Sequence, residues 1–197
     1  MEKKIDLRVI KTNRSIKNAF IKLLNKKDFA SITVQDIIDE ALINRTTFYK
    51  HYADKYDLVE TISKDFIEQF RIFTNIQISS EKQDFNTFIN SMDSGFQDFF
   101  SYKDMLLGLK KVHTEKVNVY AEMEGILKQK YKVIVGNRIN KHFNIDYQSS
   151  IFAAIILTTI DFVMESKDNF TAMDLIKELR FYYSVISEPF SSIDKEL

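Results

Sequence analysis

The 197-residue chain contains no cysteine and no tryptophan, one proline and four glycines. Without cysteine there are no disulfides, no thiolate metal ligands and no cysteine nucleophile. Glycine and proline serve turns and sheet connections, so their scarcity, with the long helical periods below, argues for an all-α protein. The three histidines, His51, His113 and His142, lie far apart, with neither an H-E-x-x-H spacing nor a glycine-rich phosphate loop. Neither catalysis nor a metal or cofactor is therefore expected. An apolar N-terminal segment is also missing after Lys3 and Lys4, and the most apolar later stretch, Ile151 to Ile160, falls short of the roughly 20 residues that span a bilayer. The expectation is a cytoplasmic protein with no membrane partner.

Net charge is zero, but its distribution is uneven. Residues 1–27 carry nine Lys/Arg against Glu2 and Asp6, whereas residues 62–197 carry three more acids than bases. Screening confines an electrostatic footprint to roughly 8–10 Å, so a basic end on a neutral protein suffices to seek phosphates.

One stretch has specific chemistry: Thr33 to Lys55, T-V-Q-D-I-I-D-E-A-L-I-N-R-T-T-F-Y-K-H-Y-A-D-K. Val34, Ile37, Ile38 and Ala41 recur at helical spacing, with Gln35, Asp36, Asp39 and Glu40 on the other face. Leu42 and Ile43 break the period, and Asn44 is a good N-cap for a short helix Arg45–Lys50 that cannot be stable alone. Two helices at a tight turn read as a helix-turn-helix, whose second helix enters the major groove. Arg45 suits guanine, Thr46 and Thr47 can meet a base or phosphate, and Tyr49, Lys50 and His51 can reach backbone oxygens. Phe48 and Tyr52 point inward. Asp54 and Asp57 resemble the cap of a following helix, with Lys55 placed where backbone N–H groups and a lysine could share a phosphate.

From Ile16 through Leu58, and above all in T-V-x-D-I, A-L-I-N-R-T-T-F-Y-K-H-Y and D-K-Y-D-L, the chain resembles the DNA-binding domain of the TetR/AcrR family of bacterial transcriptional regulators. The resemblance implies base-reading roles for Gln35, Arg45, Thr46 and Thr47, and phosphate-holding roles for Thr33, Tyr49, His51 and Lys55. Leu42 departs from the pattern, since glycine is common there. A non-glycine residue with positive φ costs on the order of 1–2 kcal/mol.

The remaining elements follow from periodicity. A first helix runs from about Asp6 to Lys26, burying Val9, Ile16, Ala19, Phe20, Leu23 and Leu24, and Phe29 should plug the small core. A helix from Asp54 to about Phe73, with Leu58, Ile62, Phe66 and Phe70 inward, links residues 1–55 to a body of residues 74–197. The body should contain helices near 84–101, 103–113 and 115–143, then the apolar run of 146–165 and an amphipathic helix of 171–187, about nine helices in all. Helix 146–165 is apolar on nearly every side, so one face needs a partner. With the last helix it could form a four-helix interface with a second copy, as the resemblance implies. The resemblance further implies a pocket for a small apolar or aromatic effector among the body aromatics, with His113, Tyr120, Met123, Phe96 and Thr158 as candidate lining residues. The expected function is that of a ligand-responsive repressor that binds a palindromic double-stranded DNA operator as a homodimer. Two other assignments stay open: an activator or partner-protein-controlled regulator of the same fold, and a helical enzyme or carrier with a relic head.

Overall fold

The computed structural model describes residues 7–78, 98–135, 143–166 and 171–187, and every regular element among them is helical. The head comprises α1 (Leu7–Leu24), a 3-10 turn (Phe29–Ser31), α2 (Val34–Ala41) and α3 (Arg45–His51). Helix α4 (Lys55–Ile78) leads into the body, formed by α5 (Lys103–Leu109), α6 (Val119–Val135), α7 (Ile145–Glu165) and α8 (Ala172–Ser187).

The head core follows the sequence periodicity. Ile16, Phe20 and Leu24 of α1 pack with Ile37, Ile38, Phe48 and Leu58 in one buried cluster, and Phe29 lies against its edge. The ring of Phe29 meets Phe20 and Tyr56 edge-on. Val9, expected in the buried stripe, is half-exposed together with Leu7 and Ile10, because the core begins at Ile16 and leaves the first turns of α1 outside it. The α1 lysines divide likewise: Lys17 pairs with Asp65 and Lys22 with Glu40, so these two brace neighbouring helices. Exposed pairs of this kind contribute about 0–1 kcal/mol.

Leu58, Ile62, Phe66 and Phe70 of α4 are fully buried. Phe99 stacks on Phe73 at 4.9 Å and meets Phe66 and Phe70 within 6 Å, so these aromatics form packed core. Helix α6 begins four residues later than the periodicity suggested. Thr114 holds a turn by accepting from the Val117 amide at 3.0 Å, and Asn118 caps the helix by accepting from the Ala121 amide at 3.1 Å. Local side-chain acceptors of this type compete with helical bonding and fix where the helix starts. The expected helix 84–101 lies almost wholly outside the described residues, as does the predicted end of α6 beyond Val135.

Helix α7 is capped by Asn144, and α8 by a reciprocal Thr171–Asp174 box. The span estimate from Ile151–Ile160 alone was too short. The whole of α7 has 21 residues and a most apolar window of mean hydropathy 1.4, which meets the length and composition of a membrane span. Here Ala153, Ile160, Val163 and Met164 of α7 are buried in the body, while Ile151 and Phe162 line a groove against α8.

Head and body meet where α5 crosses α1. Asn25 donates to the Ile21 carbonyl and, at 2.8 Å, to that of Asp104. A Cβ added at Gly108 would lie 3.1 Å from Leu24 Cβ and 3.3 Å from Asn25 Nδ2, so glycine permits the crossing. Gly125, by contrast, faces open space. Gly108→Leu should therefore lower stability by about 1–3 kcal/mol, read as a drop in the denaturant midpoint; an unchanged midpoint would show that the crossing is not close.

Candidate nucleic-acid interface

The α2–α3 unit is fixed by caps at each corner. Thr33 caps α2 reciprocally with Asp36: the Thr33 hydroxyl accepts from the Asp36 amide at 3.1 Å, and the Thr33 amide donates to Asp36 Oδ2 at 2.7 Å. The same hydroxyl donates to that carboxylate, so it serves the cap before any phosphate. Lys27 approaches Asp36 at 2.9 Å and, with the Thr33 bonds, holds its carboxyl well below the usual carboxylate range.

Helix α2 ends in a Schellman-type turn. The amide of Ile43 reaches the Ile38 carbonyl and that of Leu42 the Asp39 carbonyl. Leu42 has φ 54° and ψ 46°, the one positive φ at a non-glycine residue among those described, and its side chain is 92% exposed. The left-handed turn expected of glycine is thus made by leucine. Asn44 then caps α3, accepting from the Thr47 amide at 2.7 Å and its hydroxyl at 2.8 Å. Thr47 is half-buried, with its hydroxyl engaged in this cap.

Phe48 is fully buried and Tyr52 nearly so, which pins α3 to the core. The Tyr52 hydroxyl donates to Asn13 of α1. The outer face of α3 presents Arg45, Thr46, Tyr49 and Lys50, all exposed, with His51 at the margin beside Tyr52. The Arg45 guanidinium lies over the Tyr49 ring at 5.5 Å, a resting position one turn along the same face. Gln35, exposed on α2, donates to Asp39 at 2.8 Å. Lys55 has partners that its expected role did not include: its ammonium donates to three carbonyls of the chain before α2. Sequence reasoning missed this because the acceptors are backbone atoms 23 to 26 residues away, which side-chain patterns do not mark.

The described body candidates lie in different surroundings. His113 is exposed in the loop after α5, and Met123 is fully buried core. Tyr120 is half-buried and donates to Asp161, which also accepts from Lys110 at 3.2 Å. Burial and the Asp161 carboxylate push the Tyr120 hydroxyl far above its ordinary value. Thr158 is exposed in the outer groove between α7 and α8, and Phe96 lies outside the described residues.

A basic-ended, all-α chain with a capped helix-turn-helix whose polar face is exposed defines a DNA-binding head on a helical body. The family model described as bacterial regulatory proteins, tetR family, matches residues 17–62. Over 86 residues the chain is 37% identical to an uncharacterized HTH-type transcriptional regulator, YxbF, of Bacillus subtilis (strain 168); this is 43% of the chain but only 22% of that protein's length. The fold is shared with a TetR transcriptional regulator from Streptococcus agalactiae 2603V, at 22% identity, TM-score 0.59 and coverage of 88% of this chain and 93% of that one. It is also shared with a gamma-butyrolactone receptor (ArpA-like protein), at 14% identity, TM-score 0.59 and coverage of 93% and 100%. Residues 17–62 thus match the tetR family's model, and the fold of the chain is that of the TetR-type regulators it resembles.

Two outcomes follow from the geometry. Leu42→Gly removes the left-handed strain at a smaller entropic cost and should raise stability by about 0.5–1 kcal/mol, seen as a higher denaturant midpoint; a lower midpoint would contradict the turn. Burial, aided by Asp65 and Asp57, pushes the Tyr52 hydroxyl up to about 12. A folded pKa above the unfolded one gives stability that is full below pH of about 10 and is lost as pH rises towards 12. Wild type should thus lose melting temperature more steeply across that interval than Tyr52→Phe.

Proposed function

We propose that the protein is a sequence-specific DNA-binding transcriptional regulator, acting as a ligand-responsive repressor on a palindromic operator. The observation that carries this reading is the division of α3 into a buried face, Phe48 with Tyr52, and an exposed polar face, Arg45, Thr46, Tyr49 and Lys50. Gln35, Arg45 and Thr46 are the candidate base readers. Thr33, Tyr49, Lys50 and His51 lie where they could meet phosphates, and the nearby basic residues of α1 supply attraction without sequence preference.

A homodimer built on α7 and α8 is the assembly that fits. Between these helices lies an open groove of about 700 Å³ lined by Ile151, Ile155, Phe162, Leu175, Leu179 and Tyr182. Phe181, Tyr182 and Val185 of α8 stand out into solvent beside it. A two-fold mate would cover these residues and set two copies of α3 onto half-sites about 34–36 Å apart or a multiple of that. The operator-bound state needs one separation of the heads, and an apolar or aromatic effector that favours another releases DNA by its differential affinity. The α5–α1 crossing at Gly108 is a direct path from body to head. These features suit a cytoplasmic regulator.

Selection from a random duplex pool with the purified protein at physiological salt should enrich a palindrome. Retention without any enriched sequence would sink the proposal. On the enriched duplex, Arg45→Ala should lose about 1–3 kcal/mol at one base position and relax preference there. Equal weakening on every sequence would assign Arg45 to phosphate instead.

A further inference from the structure

Lys55 is the first residue of α4, and its ammonium sits under the chain that leads into α2. Nζ donates to the carbonyls of Phe29 at 2.9 Å, Ala30 at 3.0 Å and Ile32 at 2.8 Å. An ammonium has three protons and no acceptor, so its hydrogen-bonding capacity is used up on these converging oxygens. The same charge lies 4.7 Å from the centroid of the Phe29 ring and 5.5 Å from that of Tyr56, two rings that meet edge-on at 5.2 Å.

The partners explain what such a fastening does. The carbonyl of Ile32 immediately precedes Thr33, the N-cap of α2, and Lys55 follows directly on the loop that ends α3. The bonds therefore close the α2–α3 unit into a loop, holding its entry and its exit at one point. Everything that would read a base, Gln35 on α2 and Arg45 with Thr46 on α3, lies inside that closed segment. Moving the ammonium to a phosphate would strip three carbonyls of their donor together and release the entry of α2. Burial lowers the pKa of Lys55, with Asp36 acting in the opposite sense, as expected for an ammonium drawn partly out of water.

We propose that Lys55 is a positioning residue for DNA reading, which fixes α2 and α3 on α4 through three backbone carbonyls instead of holding a phosphate. This rests on the DNA-binding reading above. Its signature is a loss of discrimination without a loss of phosphate contacts.

The experiment compares wild type with Lys55→Met, which keeps the apolar stem, and Lys55→Arg, which keeps the charge on a planar fork that cannot direct three N–H groups onto converging carbonyls. The probes are the duplex enriched by the wild type and a scrambled duplex of equal length, titrated over a range of salt at a temperature where circular dichroism shows each protein folded. Both variants should lose affinity for the enriched duplex by more than about tenfold while the scrambled duplex and the salt slope stay at wild-type values. A salt slope reduced by about 0.9 in Lys55→Met, with Lys55→Arg restoring wild-type binding, would make Lys55 a phosphate contact and overturn the proposal. Wild-type discrimination by folded Lys55→Met would overturn it too, leaving a role in stability alone. Should neither variant fold, the Lys55 side-chain nitrogen resonance of the wild type decides the matter. No change on adding the enriched duplex supports the carbonyl clasp, and a shift with transferred phosphorus coupling overturns it. If the wild type enriches no duplex, the functional reading itself fails, visibly before any variant is compared, and takes this inference with it.

Discussion

A helix of seven residues does not persist in water, because nucleating it costs more than its few internal hydrogen bonds return. The rest of the head answers to that constraint. Phe48 and Tyr52 tie α3 to a core built by α1, α2 and α4, Asn44 satisfies its first amides, and Tyr52 reaches across to Asn13 of α1. What remains free is a narrow polar strip held by residues that do not themselves face outward. Rigidity of the strip is thus a property of the whole head.

The same logic extends into the body through a few polar joints laid over apolar packing. Lys110, at the end of α5, reaches Asp161 and Glu165 of α7, and Tyr120 of α6 donates to the same Asp161. Three helices are thereby joined at one node, on the element that also crosses α1. Asp161 of this node adjoins Phe162 and lies about one turn from Thr158 in the outer groove, so whatever covers that groove is mechanically near the contact between body and head.

Much of this was legible in the residues, and the reasons differ by element. The cap at Asn44, the inward Phe48 and Tyr52, the Asp54 cap whose oxygen accepts from the Tyr56 and Asp57 amides, and the buried stripe of α4 all depend on spacing within one turn or on helical period. Sequence carries such information directly. The left-handed turn at Leu42 was flagged by the family resemblance, in which glycine is common at that position. The contacts of Thr47 and Lys55 were not legible because both are set by what the side chain finds after folding: a cap oxygen in one case, distant carbonyls in the other. His113, Tyr120, Met123 and Thr158 were grouped by type, yet type does not encode depth. One proved a loop residue, one part of a polar node, one solid core and one an outer-groove residue.

Helix α4 runs unbroken for 24 residues from the head into the body. At 1.5 Å per residue it is a rod about 36 Å long. Turning such a rod by about 5° at its body end carries the other end through about 3 Å, close to the 3.4 Å that separates successive bases along a strand. A rotation of a few degrees at the body end of α4 is therefore large enough, at the tip of the lever, to move the exposed strip of α3 by a whole step of the double helix.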